Sequence, residues 1–332
     1  MFIKDITGNQ MVNGLFLIVD SQLRMAKNGT RYLSMRIADR TGQLPVKVWE
    51  ADDALSELLT TGKIIELQNV EAKIFKDQVQ LEWDGRSSQA YRVLTGDEAD
   101  YSQFLPHTPG NPKEYWNYLS GVMASITNPM YRKVLSVFFA DSEFVAEFMK
   151  VPAALKRHHA YIGGLAEHTV GVVALCSAAA GYYPRVNRDL LLTGAILHDI
   201  GKVKTYRIQN GFEGTDEGKL LGHLVIGVQM VERAWEQVAG GDRLEREKLL
   251  HLLVSHHGLM EWGSPIEPLM IEACILHHAD NMDAQTNKFL TIMREHQSSS
   301  EWAPFDAGLG RSIFVGDCHG TDDSVADCPE GA

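Results

Sequence analysis

The chain has 332 residues, 45% of them hydrophobic, and carries a formal net charge of −12 at pH 7. That length holds two domains of ordinary size, each with a core of its own, while an acidic total taken as a sum argues against a polyanionic partner. Met1–Gln10 lacks a charged segment leading into an apolar one, the apolar runs read as too short and too interrupted to span a bilayer, and Cys176, Cys274, Cys318 and Cys328 form no CxxC pair, so we expect a soluble cytoplasmic protein with no membrane partner.

From about Val12 to Val93, short segments of alternating polarity are separated by turn signals, the pattern of a small antiparallel barrel. Leu33, Met35 and Ile37 should face inward and Tyr32, Ser34 and Arg36 outward. Leu44, Val46 and Val48 repeat the device, with Lys47 and Trp49 outside. Asn28-Gly29 and Thr41-Gly42 supply turns. Asp52–Leu59 reads as one short helix, after which Ile64–Val70 and Ala72–Trp83 resume strand character. Strands, a helix and strands again predict an OB-fold over residues 1–96. Between Ser21 and Val48 the basic residues Arg24, Lys27, Arg31, Arg36, Arg40 and Lys47 oppose the single acid Asp39. On such a barrel Tyr32, Arg36, Lys47 and Trp49 would form a face where bases stack and phosphates meet cations. A one-residue slip in register would exchange the two faces and pack Tyr32 and Trp49 inside.

Residues 97–113 contain Pro106, Pro109, Gly110 and Pro112 with little periodicity and read as a linker. An all-α domain follows over 114–315. Its predicted helices are Glu114–Ile126, Met130–Phe139, Glu143–Met149, Ala166–Ala180, Asp189–Leu197, His223–Val238, Glu245–His256 and Pro268–Phe289. Residues 316–332 have no apolar period and read as a disordered tail. The fold class is therefore multidomain, an N-terminal all-β barrel followed by helices.

Metal-type donors recur along those helices. His168 lies early in a helix after Gly163-Gly164, while His198-Asp199 closes an apolar helix that Gly201 can end. His223 opens a helix after Gly222, His256-His257 end the next before Gly258, and Asp280 lies within the last. Imidazole nitrogen and carboxylate oxygen on rigid elements suit divalent ions. His257 fits least well, because adjacent residues on a regular helix face different ways. Lys202, three residues after Asp199, should point toward the same place, unless it is a surface lysine at a helix end. His277 and His278 read as groups that orient a ligand or as ordinary packing, and His107, His251, His296 and His319 as structural or exposed.

The order His, His-Asp, His, His-His, Asp resembles the two-metal form of the HD-domain superfamily of phosphohydrolases, from about His158 to Asp283. The resemblance implies that His168, His198, Asp199 and Asp280 hold one ion and His223, His256 and His257 a second, with Asp199 bridging both. Asp199 and Lys202 would then be the catalytic pair, the lysine meeting a phosphate oxygen as charge develops. Together with the barrel, the stretches His158-His159-Ala160-Tyr161-Ile162-Gly163-Gly164-Leu165-Ala166-Glu167-His168-Thr169 and Ser255-His256-His257-Gly258-Leu259-Met260-Glu261-Trp262-Gly263-Ser264-Pro265 resemble the bacterial YhaM-type 3′-5′ exoribonucleases, over roughly Val12–Phe314. That family resemblance implies hydrolysis of single-stranded RNA, with single-stranded DNA open, to nucleoside 5′-monophosphates. It implies manganese as the usual activator, with magnesium, iron or cobalt as alternatives, and leaves a homo-oligomer open. His159, Tyr161, Glu261 and Trp262 flank the expected centre and are candidates to line a substrate pocket, with loop packing as the alternative; Trp302, Arg311 and Phe314 could cover it.

Two rivals stand beside this reading. One is an HD phosphodiesterase of cyclic dinucleotides or small nucleotides, which would extend the paired histidines with Gly-Tyr-Pro where this chain has Gly263-Ser264-Pro265. The other is a binding factor for single strands whose metal site is idle.

Overall fold

In the computed structural model the chain opens with the strands β1 (Gln10–Met25), β2 (Arg31–Asp39) and β3 (Gly42–Trp49), then helix α1 (Asp53–Leu58), then β4 (Ile64–Phe75), β5 (Gln78–Asp84) and β6 (Tyr91–Leu94). The structure describes residues 1–316 except 76–77, 88, 95–100, 156–158, 209–210, 239–241 and 296–299. The expected tail beyond Gly316 and His158, His296, His319, Cys318 and Cys328 therefore lie outside the described residues. By contacts the chain divides into two units, Met1–Pro106 with Ile208–Glu213, and His107–Arg207 with Gly214–Ala332.

The first unit is a closed OB-like barrel. Its sheet order is β1-β2-β3-β5-β4-β6, with β1 also paired to β4. One long strand serves both neighbours because β1 pairs β2 through its second half, Leu23 opposite Leu33, and β4 through its first, Phe16 opposite Ile65. Irregularities at Ile18/Asp20 and Val12/Gly14 bend it, as bulges do where a sheet must close. The alternation reads as expected: Leu33, Met35, Ile37, Leu44, Val46 and Val48 are buried in the barrel core. Asp52 caps α1 by accepting from the Leu55 amide. The segment Ala72–Trp83, expected as one strand, is instead the end of β4 and most of β5, with Phe75 paired to Gln78. No glycine or proline marks that reversal, so period alone runs through it. The first part of the expected linker also belongs here, since Phe104, in a 3₁₀ turn over Tyr101–Phe104, packs with Leu17, Ile64 and Leu94.

The second unit is helical: α2 (Pro112–Ser125), α3 (Pro129–Phe139), α4 (Ser142–Phe148), α5 (Gly164–Tyr182), α6 (Arg188–Leu197), α7 (Lys202–Thr205), α8 (Asp216–Gln237), α9 (Arg243–Ser255) and α10 (Ile271–Glu295). Between α7 and α8 the short strands β7 (Tyr206–Ile208) and β8 (Phe212–Gly214) pair with each other, and Ile208–Glu213 of this stretch are grouped with the first unit. At three residues each they are too short to show a period. Asn128, Asp141, Asn187, Thr215 and Asp242 each cap the helix that follows by accepting an amide hydrogen. Every residue of α6 from Leu190 to Leu197 is buried, so it is the central helix of this core. One helix, α5, is long and apolar enough by length and composition to cross a membrane, which the reading of its runs as interrupted did not anticipate. Its apolarity serves the core: Leu165, Val172, Val173 and Cys176 are buried there. Trp302 and Phe314 meet ring to ring at 5.3 Å, and Ala303, Ile313 and Val315 pack against Phe289, Ile292 and Met293 of α10.

Gly201 fixes how α8 approaches the end of α6. Its backbone is right-handed, at φ −61° and ψ −21°, so it does not stop α6 with the left-handed turn expected of it; the chain runs on into α7. What requires glycine is proximity, because a Cβ there would lie 2.1 Å from the His223 carbonyl oxygen. We expect Gly201→Ala to destabilise the protein by about 1–3 kcal/mol in urea denaturation, the usual cost of forcing an atom into packed surroundings. Gly121→Ala, in α2 with open space around its Cβ, should instead stabilise by about 0.5–1 kcal/mol through helix propensity.

Candidate metal centre

Five helical elements bring their donors to one place. His168 projects from the second turn of α5, His198 caps the C-terminal end of α6, and Asp199 follows it. His223 comes next after Gly222, whose φ of 75° and ψ of 156° break α8 into two segments. His256 caps α9, and His257 lies in the turn beyond it. That answers the objection to His257: the regular helix ends at Ser255, and Gly258, at φ +82°, turns the chain against the His277 ring where any Cβ would collide. The His256 and His257 rings are 4.5 Å apart at nearly a right angle. Asp280 arrives from α10.

Asp199, only 2% exposed, organises this cluster. Its Oδ2 lies 3.4 Å from His168 Nε2 and 3.3 Å from His198 Nε2, while its Oδ1 lies 3.4 Å from His223 Nε2 and 3.6 Å from His256 Nε2. Asp280 Oδ1 adds a contact of 3.1 Å to His168 Nε2. The two carboxylate oxygens thus face two different groups of imidazoles. Lys202 is buried and its ammonium pairs with Asp199 Oδ2, so it is not a surface lysine.

Burial by itself would raise the pKa of Asp199, but Lys202, His198 and His168 outweigh it and hold the carboxyl well below the usual range. Asp280 is held low in the same way, mainly by His168. Burial opposes protonation of His168, yet its contacts to Asp199, Asp280 and Asp283 prevail and raise it well above the ordinary value. His223 is pushed well below its ordinary value and His257 to about 4, in both cases chiefly by burial, so both are neutral at pH 7 and offer a lone pair.

Their tautomers are set from behind. The Nδ1–H of His198 donates to the Ala195 carbonyl at 2.8 Å, that of His256 to the Leu253 carbonyl at 2.8 Å, and that of His257 to the Trp262 carbonyl at 3.1 Å. His168 Nδ1 donates to Asp283 Oδ2 at 2.6 Å. Each Nε2 is left toward the centre, the arrangement of imidazoles that hold ions.

The residues fit a pair of divalent ions on an observation of their own. Among the described residues, Asp199 Oδ1 and His223 Nε2 are buried without a hydrogen bond, a cost that a bound cation removes. Three donor sets, His168/His198/Asp280, His198/Asp199/His256 and His223/His256/His257, each bring their ligand atoms within 4.8 Å of one another. A fourth set, His159/His168/Asp283, is accounted for by direct hydrogen bonds.

The same centre opens on a cavity of about 330 Å³ lined by Asp199, Lys202, His256, His257 and Asp280, together with Trp262 and with His277, Asn281, Ala284, Gln285 and Lys288 of α10. Trp262, half exposed, is in this wall as expected, whereas Glu261 is exposed and does not line it. His159 and Tyr161 also differ from the expectation of a substrate pocket. His159 is 3% exposed, its Nε2 donates to Asp283 Oδ2 at 2.9 Å, and its Nδ1 lies 2.9 Å from the Tyr161 hydroxyl. Asn287 holds both the His159 amide and the Tyr161 hydroxyl. These residues back His168 through Asp283 and do not line the cavity. His159 takes φ 51°, a left-handed conformation unusual for a side chain with a Cβ, and this hydrogen-bond network holds it there. His277 Nδ1 donates to the His256 carbonyl at 2.9 Å, so it fixes a ligand's backbone, while His278 lines a separate apolar cavity with Leu175, Tyr183 and Cys274. None of Trp302, Arg311 and Phe314 lines the metal-side cavity.

Asp283 and Asn287 went unrecognised in the sequence. Their signal was spacing: Asp280, Asp283 and Asn287 fall at i, i+3 and i+7 on one helix. We expect Asp283→Asn to weaken manganese binding by about 10- to 100-fold in calorimetry of the metal-stripped protein, the usual cost of losing a group that orients a ligand; unchanged affinity would remove Asp283 from the site.

On the barrel, Tyr32 pairs with Trp49 and Ser34 with Lys47 across β2 and β3. The Tyr32 and Trp49 rings lie 5.1 Å apart, and the Lys47 ammonium is 5.7 Å from the Trp49 ring and 4.7 Å from that of Phe75. Arg36 is exposed, with Asp20 at 3.9 Å. All four expected residues share the outward face. Phe75 joins them, unrecognised because it stood in the middle of a misread strand.

The HD domain family matches residues 165–285. The 3′-5′ exoribonuclease YhaM of Bacillus subtilis is 33% identical over 84% of this chain and 86% of its own length. That of Listeria welshimeri is 31% identical over 90% and 93%. A solved murine DNA-binding protein bound to double-stranded DNA is 21% identical over 29% of this chain and 48% of its own, with a TM-score of 0.22, and carries no argument. The ordered donors, the barrel ahead of them and the extent of the match to these relatives assign the chain to the YhaM family of 3′-5′ exoribonucleases.

Proposed function

We propose that this protein is a metal-dependent 3′-5′ exoribonuclease that hydrolyses single-stranded RNA to nucleoside 5′-monophosphates, with two divalent ions, manganese foremost, as cofactors. The observation that carries the reading is the buried Asp199 carboxylate, whose two oxygens face separate imidazole groups and one of which has no hydrogen bond among the described residues. His168, His198, Asp199 and Asp280 would hold one ion, and Asp199, His223, His256 and His257 the other. When bound, the ions supply Lewis-acid activation of water and of the phosphate ester.

The chain's own groups do the rest. Asp199 keeps the two donor sets in register, and the buried Lys202 ammonium brings a positive charge to the cavity, where phosphate charge builds up in the transition state. Asp283 keeps His168 Nε2 aimed inward. On the barrel, Tyr32 and Trp49 present aromatic faces to bases, and Lys47 and Arg36 present cations to phosphates. A strand held there by several nucleotides keeps a high local concentration of its own end, so long RNA gains from the barrel and a dinucleotide does not.

A single-stranded RNA labelled at its 5′ end, incubated with the protein and manganese, should shorten as a ladder from its 3′ end. Asp199→Ala should lose at least about 10³-fold of that rate, since it removes a group shared by the whole centre, and excess chelator should stop the reaction. Binding without shortening would leave a binding factor, and turnover of cyclic dinucleotides alone would leave the other rival. Trp49→Ala should raise the KM for a long strand by about 10-fold, one stacked base, while changing dinucleotide hydrolysis far less. Equal losses on both substrates would separate the barrel from catalysis.

A further inference from the structure

The wall of the metal-side cavity formed by α10 carries a second set of polar groups beside the metal donors. Asp280 turns to the centre, while Asn281, Gln285 and Lys288 follow at spacings of four and three residues, a single stripe along the helix. Ala284, 7% exposed, leaves only a methyl group between them. The two amides are joined by one bond, Gln285 Nε2 donating to Asn281 Oδ1 at 3.3 Å, near the long end of the range. Each amide has further donor and acceptor positions beyond that bond. The Trp262 indole, half exposed and 5.9 Å from the His277 ring of α10, lines the same cavity.

The chemistry of these walls differs in kind. The metal donors and Lys202 suit an anionic phosphate, and Trp262 suits the flat face of a base. Neutral amides add no charge for a phosphate; they suit hydroxyl groups, to which they can donate and from which they can accept. Along a nucleotide the sugar is attached directly to the phosphate, with the base farther out. Asn281 and Gln285 line the same cavity as Asp199, Lys202 and Asp280, so a phosphate held at those groups brings its sugar into the space that the two amides share. A cavity of about 330 Å³ is at the small end for ligand pockets, which suits one nucleotide.

We propose that Asn281 and Gln285 bind the free hydroxyl of the 3′-terminal sugar, and so select the end of the strand from which nucleotides are removed. The inference rests on the exoribonuclease reading and deepens it, since it names what makes the terminal nucleotide the preferred one. A terminal phosphate in place of that hydroxyl is bulkier and, when doubly ionised, cannot donate to an amide oxygen as the hydroxyl does, so a site built for the hydroxyl rejects it.

The test compares two single-stranded RNA substrates of one sequence, labelled at the 5′ end and finishing in a 3′-hydroxyl or a 3′-phosphate, with manganese. The native protein should favour the hydroxyl end in kcat/KM by 10-fold or more. Asn281→Ala and Gln285→Ala should each lose most of that preference, chiefly through slower removal from the hydroxyl end. Manganese affinity by calorimetry serves as a readout apart from turnover and should move by less than threefold in both variants, which shows that the centre itself is intact. Variants that keep the native ratio, or a native protein that trims both ends equally, would overturn the assignment of these amides while leaving the nuclease reading in place. A native protein that shortens neither RNA would instead overturn the nuclease reading on which the inference rests.

Discussion

A carboxylate buried at the end of an apolar helix is the constraint around which the helical unit is organised. Asp199 follows α6, every residue of which from Leu190 onward is buried, and is itself only 2% exposed. An ionised group in such a place persists only if it is surrounded by compensating charge and donors. Lys202, His198 and His168 supply that compensation, while the oxygen that faces His223 and His256 has no hydrogen bond among the described residues and is left for a cation. Much of the local architecture follows. Gly201 lets α8 come within contact of the chain beside Asp199, Gly222 redirects α8 so that His223 starts a new segment, and Gly258 ends α9 so that two adjacent imidazoles converge.

The remote members of the site depend on the same geometry. Asp283 is held low in pKa, burial notwithstanding, by the hydrogen bonds of His159 and His168. A carboxylate between two imidazoles fixes the orientation of both rings, and Asn287 and Tyr161 then fix the outer one. Helix α10 therefore works on three fronts at once: Asp280 toward the centre, Asp283 and Asn287 toward the backing of His168, and Asn281 and Gln285 toward the cavity. Few substitutions along that stretch could be silent in all three.

The donors and the barrel were legible because each leaves a local signature. His198-Asp199 and His256-His257 sit at the ends of apolar periods, next to glycines, and the barrel strands alternate at a period of two. Leu33, Met35 and Ile37 went inside as the alternation required. What could not be read depends on contacts between residues distant in sequence. His159 looked like a residue at a cavity mouth because it lies nine positions before His168; its partner Asp283 is 124 residues away, and only folding shows that it faces backward. Gly201 looked like a helix terminator, but its role is a close approach to a backbone 22 residues on. The reversal between β4 and β5 lacked glycine and proline and was invisible to periodicity. The placement of His257 was open for as long as it and His256 were read as neighbours on one regular helix, whereas α9 ends at Ser255.

The two donor sets differ in the kind of backbone that carries them. His168 and Asp280 project from within long packed helices, whereas His223 follows a break in α8, His256 sits at a helix end and His257 in the turn after it. In the assignment proposed here, the first ion draws two of its four donors from helix interiors, while the second draws its imidazoles from a break, a helix end and a turn. A disturbance of those turns would reach the second set directly and the first only through Asp199, the donor they share.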